Sequence, residues 1–200
     1  FRLLADTAAK LLATGNPQTH INDLAGRVMD HLSCHCFFNF LTADEQPNRL
    51  KLNAWAGIPE EDARRIEWLD CGVAVCGCVA RDGARIVAEH IPTTPDVRTE
   101  LVKSYGIKAY ACHPLVGVND RVLGTLSFGT RNRETFSAHD LALMKAVADQ
   151  VAVALVRKQN ERDLRRSAEA LQQANERLED KVRQRTQELE DTVATLKNEI

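Results

Sequence analysis

The feature that most constrains the fold is the last third of the chain, from Ser137 to Ile200, which contains neither glycine nor proline. Because these two residues are the strongest helix breakers, the stretch predicts one unbroken helix. From Arg157 to Ile200 it holds ten Lys or Arg and ten Asp or Glu, and no aromatic residue follows Val156. At ~1.5 Å per residue such a helix is on the order of 95 Å long. We therefore expect it to project from any compact domain of this size.

Apolar residues recur along this helix in alternating steps of four and three, which is the spacing of a coiled-coil seam. The phase shifts once, near Thr186, which indicates a stutter that locally unwinds the supercoil. Asn175 lies at an a position, where a buried amide pairs best with its own copy in a parallel two-stranded coil. We predict a parallel homodimer with the interface Leu164, Ala168, Leu171, Asn175, Leu178, Val182, Leu189, Val193 and Leu196. A single solvated helix, held by ion pairs four residues apart, is the alternative.

The composition is that of a globular chain with one domain ahead of this helix. The chain has 200 residues, 44% of them hydrophobic, and a net charge of −2, so no basic face for nucleic acid is expected. No apolar run is long enough to cross a membrane. Six cysteines are too few for a disulfide scaffold, so we expect a cytoplasmic protein. We assign residues 1–155 to the domain and residues 156–200 to the coiled coil, and the uncapped end suggests a longer parent with an output domain.

Short segments separated by turn residues predict an α+β domain. Apolar stripes predict a helix around Leu3 to Leu12 and a second one through Ile21, Leu24, Val28 and Leu32. Further helices are expected over 60–69 and after Thr94, with Val97 inward, while 72–80 fits either helix or strand. The β-prone segments are 34–42, 49–56, 85–90, 108–116 and 121–130. Because the strands come mainly as hairpins, we predict an antiparallel sheet with helices packed on it.

Several motifs, in this order, resemble those of GAF domains. They are Gly72-x-x-x-Cys76-Gly77-x-Val79-Ala80, the stretch Tyr105 to Leu115, the stretch Val122 to Gly129, and Phe136-Ser137-x-x-Asp140. The resemblance covers roughly residues 1–155. Leu178 to Leu189 is similar to the linker that precedes the output part of bacterial sensor histidine kinases. The resemblance implies a dimeric sensory module ahead of a kinase, with a cyclase or phosphodiesterase as the alternative output.

The candidate ligand-binding residues are Trp55, Tyr110, Cys112 and Phe128, because aromatic and sheet-face side chains line many small-molecule sites; core packing is the alternative role. GAF domains that attach bilins carry a cysteine before the helix corresponding to Pro95–Tyr105, and none is present here. Cyclic-nucleotide GAF domains match only in part, at Asn132, Phe136 and Asp140. His113, next to Pro114, fits a strand-end histidine better than a haem ligand. Bilin, haem and cyclic nucleotide are therefore disfavoured, and the ligand stays unknown.

The cysteines raise a metal or redox alternative. Cys34 and Cys36, two apart on one predicted strand, should face the same way, with Cys112 on another strand and Cys71, Cys76 and Cys78 in a connection over the sheet. Such thiolates could hold zinc or an iron–sulfur cluster, although core packing is the ordinary role of free cysteine. Free methionine sulfoxide reductases are GAF-like enzymes with reactive cysteines, but they need no coiled coil. We expect no catalysis from this chain, and a structural dimeriser without ligand remains the other alternative.

Overall fold

The computed structural model of the chain describes residues 17–43 and 45–198. Helix α1 (Pro17–Leu32) is the first element in this range. Its stripe of Ile21, Leu24, Val28 and Leu32 is buried, as the apolar spacing predicts. The helix predicted around Leu3 to Leu12 lies outside the described residues.

The strands of the described residues form one sheet of six, in the order β3-β2-β1-β6-β5-β4, and every neighbouring pair is antiparallel. Strand β1 pairs with both β2 and β6, so the first and last hairpins meet at the centre of the sheet. The predicted α+β fold with an antiparallel sheet is confirmed. The strands are β1 (Cys36–Thr42), β2 (Arg49–Ala56), β3 (Trp68–Asp70), β4 (Ile86–Ala88), β5 (Ala109–Val116) and β6 (Val122–Thr130).

The segment after Pro59 differs from its prediction. Helix α2 (Glu60–Arg65) ends four residues early, and Trp68–Asp70 forms the edge strand β3 instead. The buried side chain of Leu69 pairs with Leu50 of β2. The helix prediction was wrong here because pairing with β2 overrides the local helical preference.

The ambiguous segment 72–80 is helical: α3 (Ala74–Asp82) ends at Gly83, which adopts the left-handed conformation with φ 64°. After β4, a 3₁₀ turn (Val97–Thr99) leads into the short helix α4 (Glu100–Ser104). The prediction that Val97 points inward is wrong, since its side chain is 86% exposed. A 3₁₀ turn has three residues per turn, so side chains fall on different faces than in an α-helix.

The long helix α5 (Ala138–Asn198) begins at the predicted capping box. The backbone N–H of Asp140 donates to Ser137 Oγ at 3.1 Å, and the backbone N–H of Ser137 donates to Asp140 Oδ2 at 3.0 Å. The chain divides into two compact units, one up to Lys158 and one from Gln159. In the part of the chain that the structure describes, no helix is apolar over enough of its length to cross a membrane.

The sheet has two buried faces with different coverings. The long-helix face packs against α1 and the first part of α5, and the short-helix face packs against α2, α3 and α4. Gly124 of β6 lies where a Cβ would collide with the carbonyl oxygen of Phe40, so glycine permits the close approach of β1. The long-helix face includes Phe37, Ala109, Ala111, Phe128, Met144, Val147 and Val151, and the short-helix face includes Cys36, Phe38, Val75, Cys76, Tyr110 and Cys112.

Candidate functional site

Two of the four predicted ligand residues lie side by side on the short-helix face. Tyr110 and Cys112 are two residues apart on β5, so their side chains point to the same side of the sheet. Both are buried, with 1% and 0% of their surface exposed. On β6 they pair with Gly129 and Ser127. They can contact a small molecule only if a space opens next to them.

The other two predicted residues lie apart from this pair, Trp55 on the same face of the sheet and Phe128 on the opposite face. Phe128 pairs with Ala111 and packs on the long-helix face, where its ring centroid lies 6.4 Å from that of Phe37. Trp55 pairs with Phe38 on β1 and is 37% exposed. Since Tyr110 pairs with Gly129, the preceding residue, Phe128, points to the opposite face from the Tyr110 ring. That Trp55, Tyr110 and Cys112 contact a ligand stays a prediction.

Helix α3 places Cys76 against this pair and completes a chain of hydrogen bonds. The Cys112 thiol donates to Cys76 Sγ at 3.7 Å, and Cys76 Sγ lies 3.2 Å from Tyr110 Oη. The Tyr110 hydroxyl donates to Ser127 Oγ at 2.6 Å, and the Ser127 hydroxyl donates to the carbonyl oxygen of Phe38 at 3.1 Å. Since Tyr110 has a single hydroxyl proton, Cys76 must be the donor to it. Each group thus donates to the next, and the chain ends on the backbone.

Two glycines leave room for this arrangement. A Cβ at Gly77 of α3 would collide with the carbonyl oxygen of Asp70, so glycine lets the helix lie close to the end of β3. A Cβ at Gly129 of β6 would lie 2.7 Å from Cys36 Sγ and 3.0 Å from Tyr110 Cδ2. Glycine at these two positions therefore leaves space for Cys76 and for the Tyr110 ring. The sequence alone did not reveal this role of the two glycines.

The buried thiols differ in pKa because their hydrogen bonds differ. When Cys76 is a thiolate, the Tyr110 and Ser127 hydroxyls can turn to donate to its Sγ. Together with the hydrogen bond from Cys112, whose effect outweighs burial, they lower the pKa of Cys76 to about 7. Burial raises the pKa of Cys112 and of Tyr110 well above their usual values. Burial also raises the pKa of Cys36 to about 12. Of these four groups, Cys76 is the one that can ionise near neutral pH.

The remaining cysteines do not build a metal site. Cys34 lies before β1 and packs on the long-helix face, whereas Cys36 packs on the short-helix face, so the prediction that both face the same way was wrong. Cys78 donates to the carbonyl oxygen of Gly72 at 3.2 Å. Within residues 17–43 and 45–198, no group of three His, Cys, Asp or Glu side chains could hold a metal ion. The zinc and iron–sulfur alternatives therefore lack a ligand set here.

Two of the three residues that match the cyclic-nucleotide pattern, Phe136 and Asp140, make contacts at the start of α5. Asp140 caps α5 and forms an ion pair with Arg133, Nη1 to Oδ2, at 2.9 Å. The Arg133 guanidinium also lies 5.1 Å from the ring centroid of Phe136, which is buried in the core of the long-helix face. These contacts fix the start of α5.

A cavity of about 210 Å³ lies beside the edge strand β4. Ala88 in its wall pairs with Tyr110 of β5, but neither Tyr110 nor a cysteine lines the cavity. It is smaller than the ~300–1,000 Å³ that is typical of sites for drug-sized ligands. None of the four predicted ligand residues lines it; its wall consists of Val87, Ala88, Glu89, Ile91, Thr94, Asp96 and Thr99.

The predicted interface residues of α5 are exposed in the single chain. Leu164 is 77% exposed, and Ala168 and Asn175 are exposed as well. The side chain of Leu196 lies outside the described part. Ion pairs such as Arg165 to Glu169, at 2.9 Å, accompany the seam along the same helix. The other large apolar residues of the seam are also exposed, by 49 to 65%: Leu171, Leu178, Val182, Leu189 and Val193.

A sequence profile described as a GAF domain matches residues 18–156, which is more than half of the chain. The chain belongs to the GAF domain family. The match spans α1, all six strands and the start of α5, so the two hairpins and the thiol-bearing helix α3 are parts of the GAF domain. A search of curated proteins returned no match.

Solved structures share this GAF fold at low sequence identity. The GAF domain of a phosphoenolpyruvate-protein phosphotransferase from Coxiella burnetii has a TM-score of 0.67 and 17% identity, over 80% of this chain and 94% of that one. Free methionine-R-sulfoxide reductase from Neisseria meningitidis, solved with its substrate, has a TM-score of 0.65 and 14% identity, over 80% and 89%. A domain of a proposed two-component sensor histidine kinase from Sinorhizobium meliloti 1021 has a TM-score of 0.56 and 17% identity, over 70% and 91%.

Proposed function

We propose that this chain is the input part of a dimeric signalling protein, which detects a chemical signal in its GAF domain and passes it along a parallel coiled coil. GAF domains are sensory or regulatory modules, and the family match supports that role for residues 18–156. The output domain would follow α5 in the same polypeptide.

The exposed seam of α5 is the observation that carries the proposal. Leu171, Leu178 and Val182 leave at least 60% of their surface in water, although each would favour association by about 1.5–3 kcal/mol if fully buried. A solvated helix held by ion pairs has no need of a leucine every seven residues. A second copy of the same helix offers a matching seam, and Asn175 would face its own copy in a parallel pair.

A histidine kinase is the output that fits best. The segment Leu178 to Leu189 is similar to the linker ahead of kinase output parts, and one similar fold comes from a proposed sensor histidine kinase. The stutter near Thr186 makes two helix packings close in energy, and a signal acts by favouring one of them. The six cysteines are all free, which fits a reducing cytoplasm.

Site-specific cross-linking tests the parallel dimer. In Leu171→Cys the new thiols face each other across the seam only if two helices run parallel and in register, whereas Gln173→Cys places them on the outer side. We expect rapid disulfide cross-linking of the first variant, slow cross-linking of the second, and a dimer in sedimentation equilibrium. A monomer at high concentration, or equal cross-linking of both variants, would refute the proposal.

A structural dimeriser without ligand is the second candidate, because Tyr110 and Cys112 are fully buried and the cavity is small. Native mass spectrometry of the purified protein separates the two candidates. A co-purified small molecule whose removal lowers the melting temperature supports sensing, since a ligand stabilises the folded state by mass action. Ligand-free protein whose melting temperature no added metabolite raises supports the structural role.

A further inference from the structure

We propose that Cys76 and Cys112 are a redox modification site, at which a hydroperoxide oxidises the two thiols to a reversible disulfide between α3 and β5. The inference goes beyond the proposed function, and the bond can form whether or not the coiled coil transmits a signal. It starts from the distance between the two sulfur atoms, 3.7 Å, across elements that are 36 residues apart in the chain.

The geometry selects this pair among the six cysteines. Cys34 lies on the other face of the sheet, and the Cys78 thiol is directed at the carbonyl oxygen of Gly72. A disulfide needs a sulfur separation of about 2.05 Å, so the two atoms must approach by roughly 1.7 Å. Side-chain rotation and a small shift of the nine-residue helix α3 can provide that movement.

The surroundings prepare Cys76 as the attacking sulfur. Tyr110 Oη lies at 3.2 Å and Ser127 Oγ at 3.6 Å from its Sγ, so two hydroxyl groups and the Cys112 thiol can donate to a thiolate there. Hydrogen bonds to the charged form lower a pKa, and that of Cys76 is about 7. Cys76 and Cys112 are both buried, with 5% and 0% of their surface exposed. Such burial restricts the oxidant to a molecule as small as hydrogen peroxide.

The reaction balances without any further reactant. The Cys76 thiolate attacks one oxygen of H₂O₂, an S–O bond forms as the O–O bond breaks, and the departing hydroxide takes up the proton lost by Cys76 to give water. The Cys112 sulfur then attacks the sulfenic sulfur. The S–S bond forms as the S–O bond breaks, and the second hydroxide leaves as water with the Cys112 proton. Two thiols lose two electrons, and one peroxide becomes two waters.

Peptide mapping of the full chain tests the site. The folded protein is treated with H₂O₂, unreacted thiols are alkylated after denaturation, and the unreduced digest is analysed by mass spectrometry. We expect a linked peptide pair containing Cys76 and Cys112, which is lost on treatment with a dithiol reductant. The rate of linkage should rise with pH through about pH 7, because the Cys76 thiolate is the nucleophile.

Two variants give a matched comparison. Cys112→Ala should abolish the linkage and leave a sulfenic acid on Cys76 that dimedone traps, whereas Cys36→Ala, which removes another buried thiol of the same face, should keep the linkage. Oxidation of Cys71 serves as the control that peroxide has acted on the native protein. If Cys71 is oxidised while Cys76 and Cys112 can still be alkylated, the proposal is overturned. It is also overturned if the linked peptides contain Cys36 in place of Cys76 or Cys112. The peptide map of the native protein tests the proposal even if a variant fails to fold. Sedimentation equilibrium of the same samples measures the dimer independently of the disulfide. The proposed coiled-coil dimer and the proposed disulfide can therefore each be refuted without the other.

Discussion

Successive side chains of β5 point to opposite faces of the sheet, and His113 occupies the face covered by α5. It is 2% exposed, and neither ring nitrogen makes a hydrogen bond of regular geometry, although the backbone of Leu141 lies close enough to favour the protonated ring slightly. Burial, helped by the nearby charges of Arg85 and Lys145, lowers its pKa to about 4, while Asp149 acts in the opposite direction. The ring is therefore neutral near pH 7, and protonating it works against the folded state.

We predict that His113 makes the protein less stable in mild acid. Its pKa is lower in the folded chain than in the unfolded one, so the unfolded state binds the proton first as the pH falls from about 6.5 to about 4. The loss amounts to at most about 3 kcal/mol across that range. Urea unfolding at several pH values measures it. His113→Phe should flatten this pH dependence, and His31→Gln, at an exposed position of α1, should leave it unchanged.

Tyr110 connects Cys76 to Ser127 in the hydrogen-bonded chain, so removal of its hydroxyl should affect both residues. In Tyr110→Phe, Cys76 and Ser127 lose a buried partner, which should lower the free energy of unfolding by about 1–2 kcal/mol. The pKa of Cys76 should rise because its thiolate loses a donor. The pH dependence of alkylation at Cys76 checks this. Tyr105→Phe, at a partly exposed ring, is the control, and equal effects of both substitutions would contradict the role of the chain.

At the scale of elements, sequence patterns correctly predicted the helices whose formation depends on their own segment alone. The stripe from Ile21 to Leu32 predicted α1, and the Ser137 and Asp140 pair predicted the start of α5. The segment around Trp68 could not be predicted from itself, because its strand exists through pairing with β2. Cys34 was misplaced because β1 begins only at Cys36, so the two-residue spacing did not apply.

The site was predictable only in part for the same reason. Tyr110 and Cys112, both named as candidates from the sequence, are two residues apart on β5 and lie on one face. The sequence analysis placed Cys76 in a connection over the sheet, but which of the three cysteines there meets Cys112 depends on how α3 packs, and no local pattern encodes that contact. The cavity likewise consists of a strand and the segment that follows it, and none of its lining residues carries an aromatic ring that would have attracted notice.

The seam of α5 makes a prediction about specificity. Asn175→Leu should leave the helix intact and raise its stability, because leucine packs better than a buried amide, but the pairing register or the number of chains should no longer be unique. Light scattering measures the oligomeric state, and cross-linking through Leu171→Cys in the same background measures the register. A strict in-register dimer in both measurements would show that Asn175 does not set the pairing.

At the scale of the whole molecule, the chain consists of a sheet-based unit up to Lys158 and a helical unit from Gln159. The residues that bury the sheet belong to the first unit, and the exposed seam belongs to the second. Folding of the sheet-based unit and pairing of α5 therefore depend on different residues.

Deleting residues 159–200 should separate these two properties. We expect the shortened chain to keep its melting temperature within a few degrees, since its buried core is complete without the seam. Its dimer should weaken strongly, which sedimentation equilibrium would measure. Unfolding of the shortened chain, or association as tight as that of the full chain, would contradict this division.

The alternation along β5 has a consequence for how a chemical event could reach α5. Cys112 lies between Ala111 and His113, whose side chains project on the opposite side, toward the helix that continues into the seam. A shift of Cys112 toward α3 must therefore pull on peptide groups that also carry the contacts of α5. The residues that contact α5 are the immediate neighbours of Cys112 in the chain, so a displacement of this part of β5 would act on α5 directly through packed side chains.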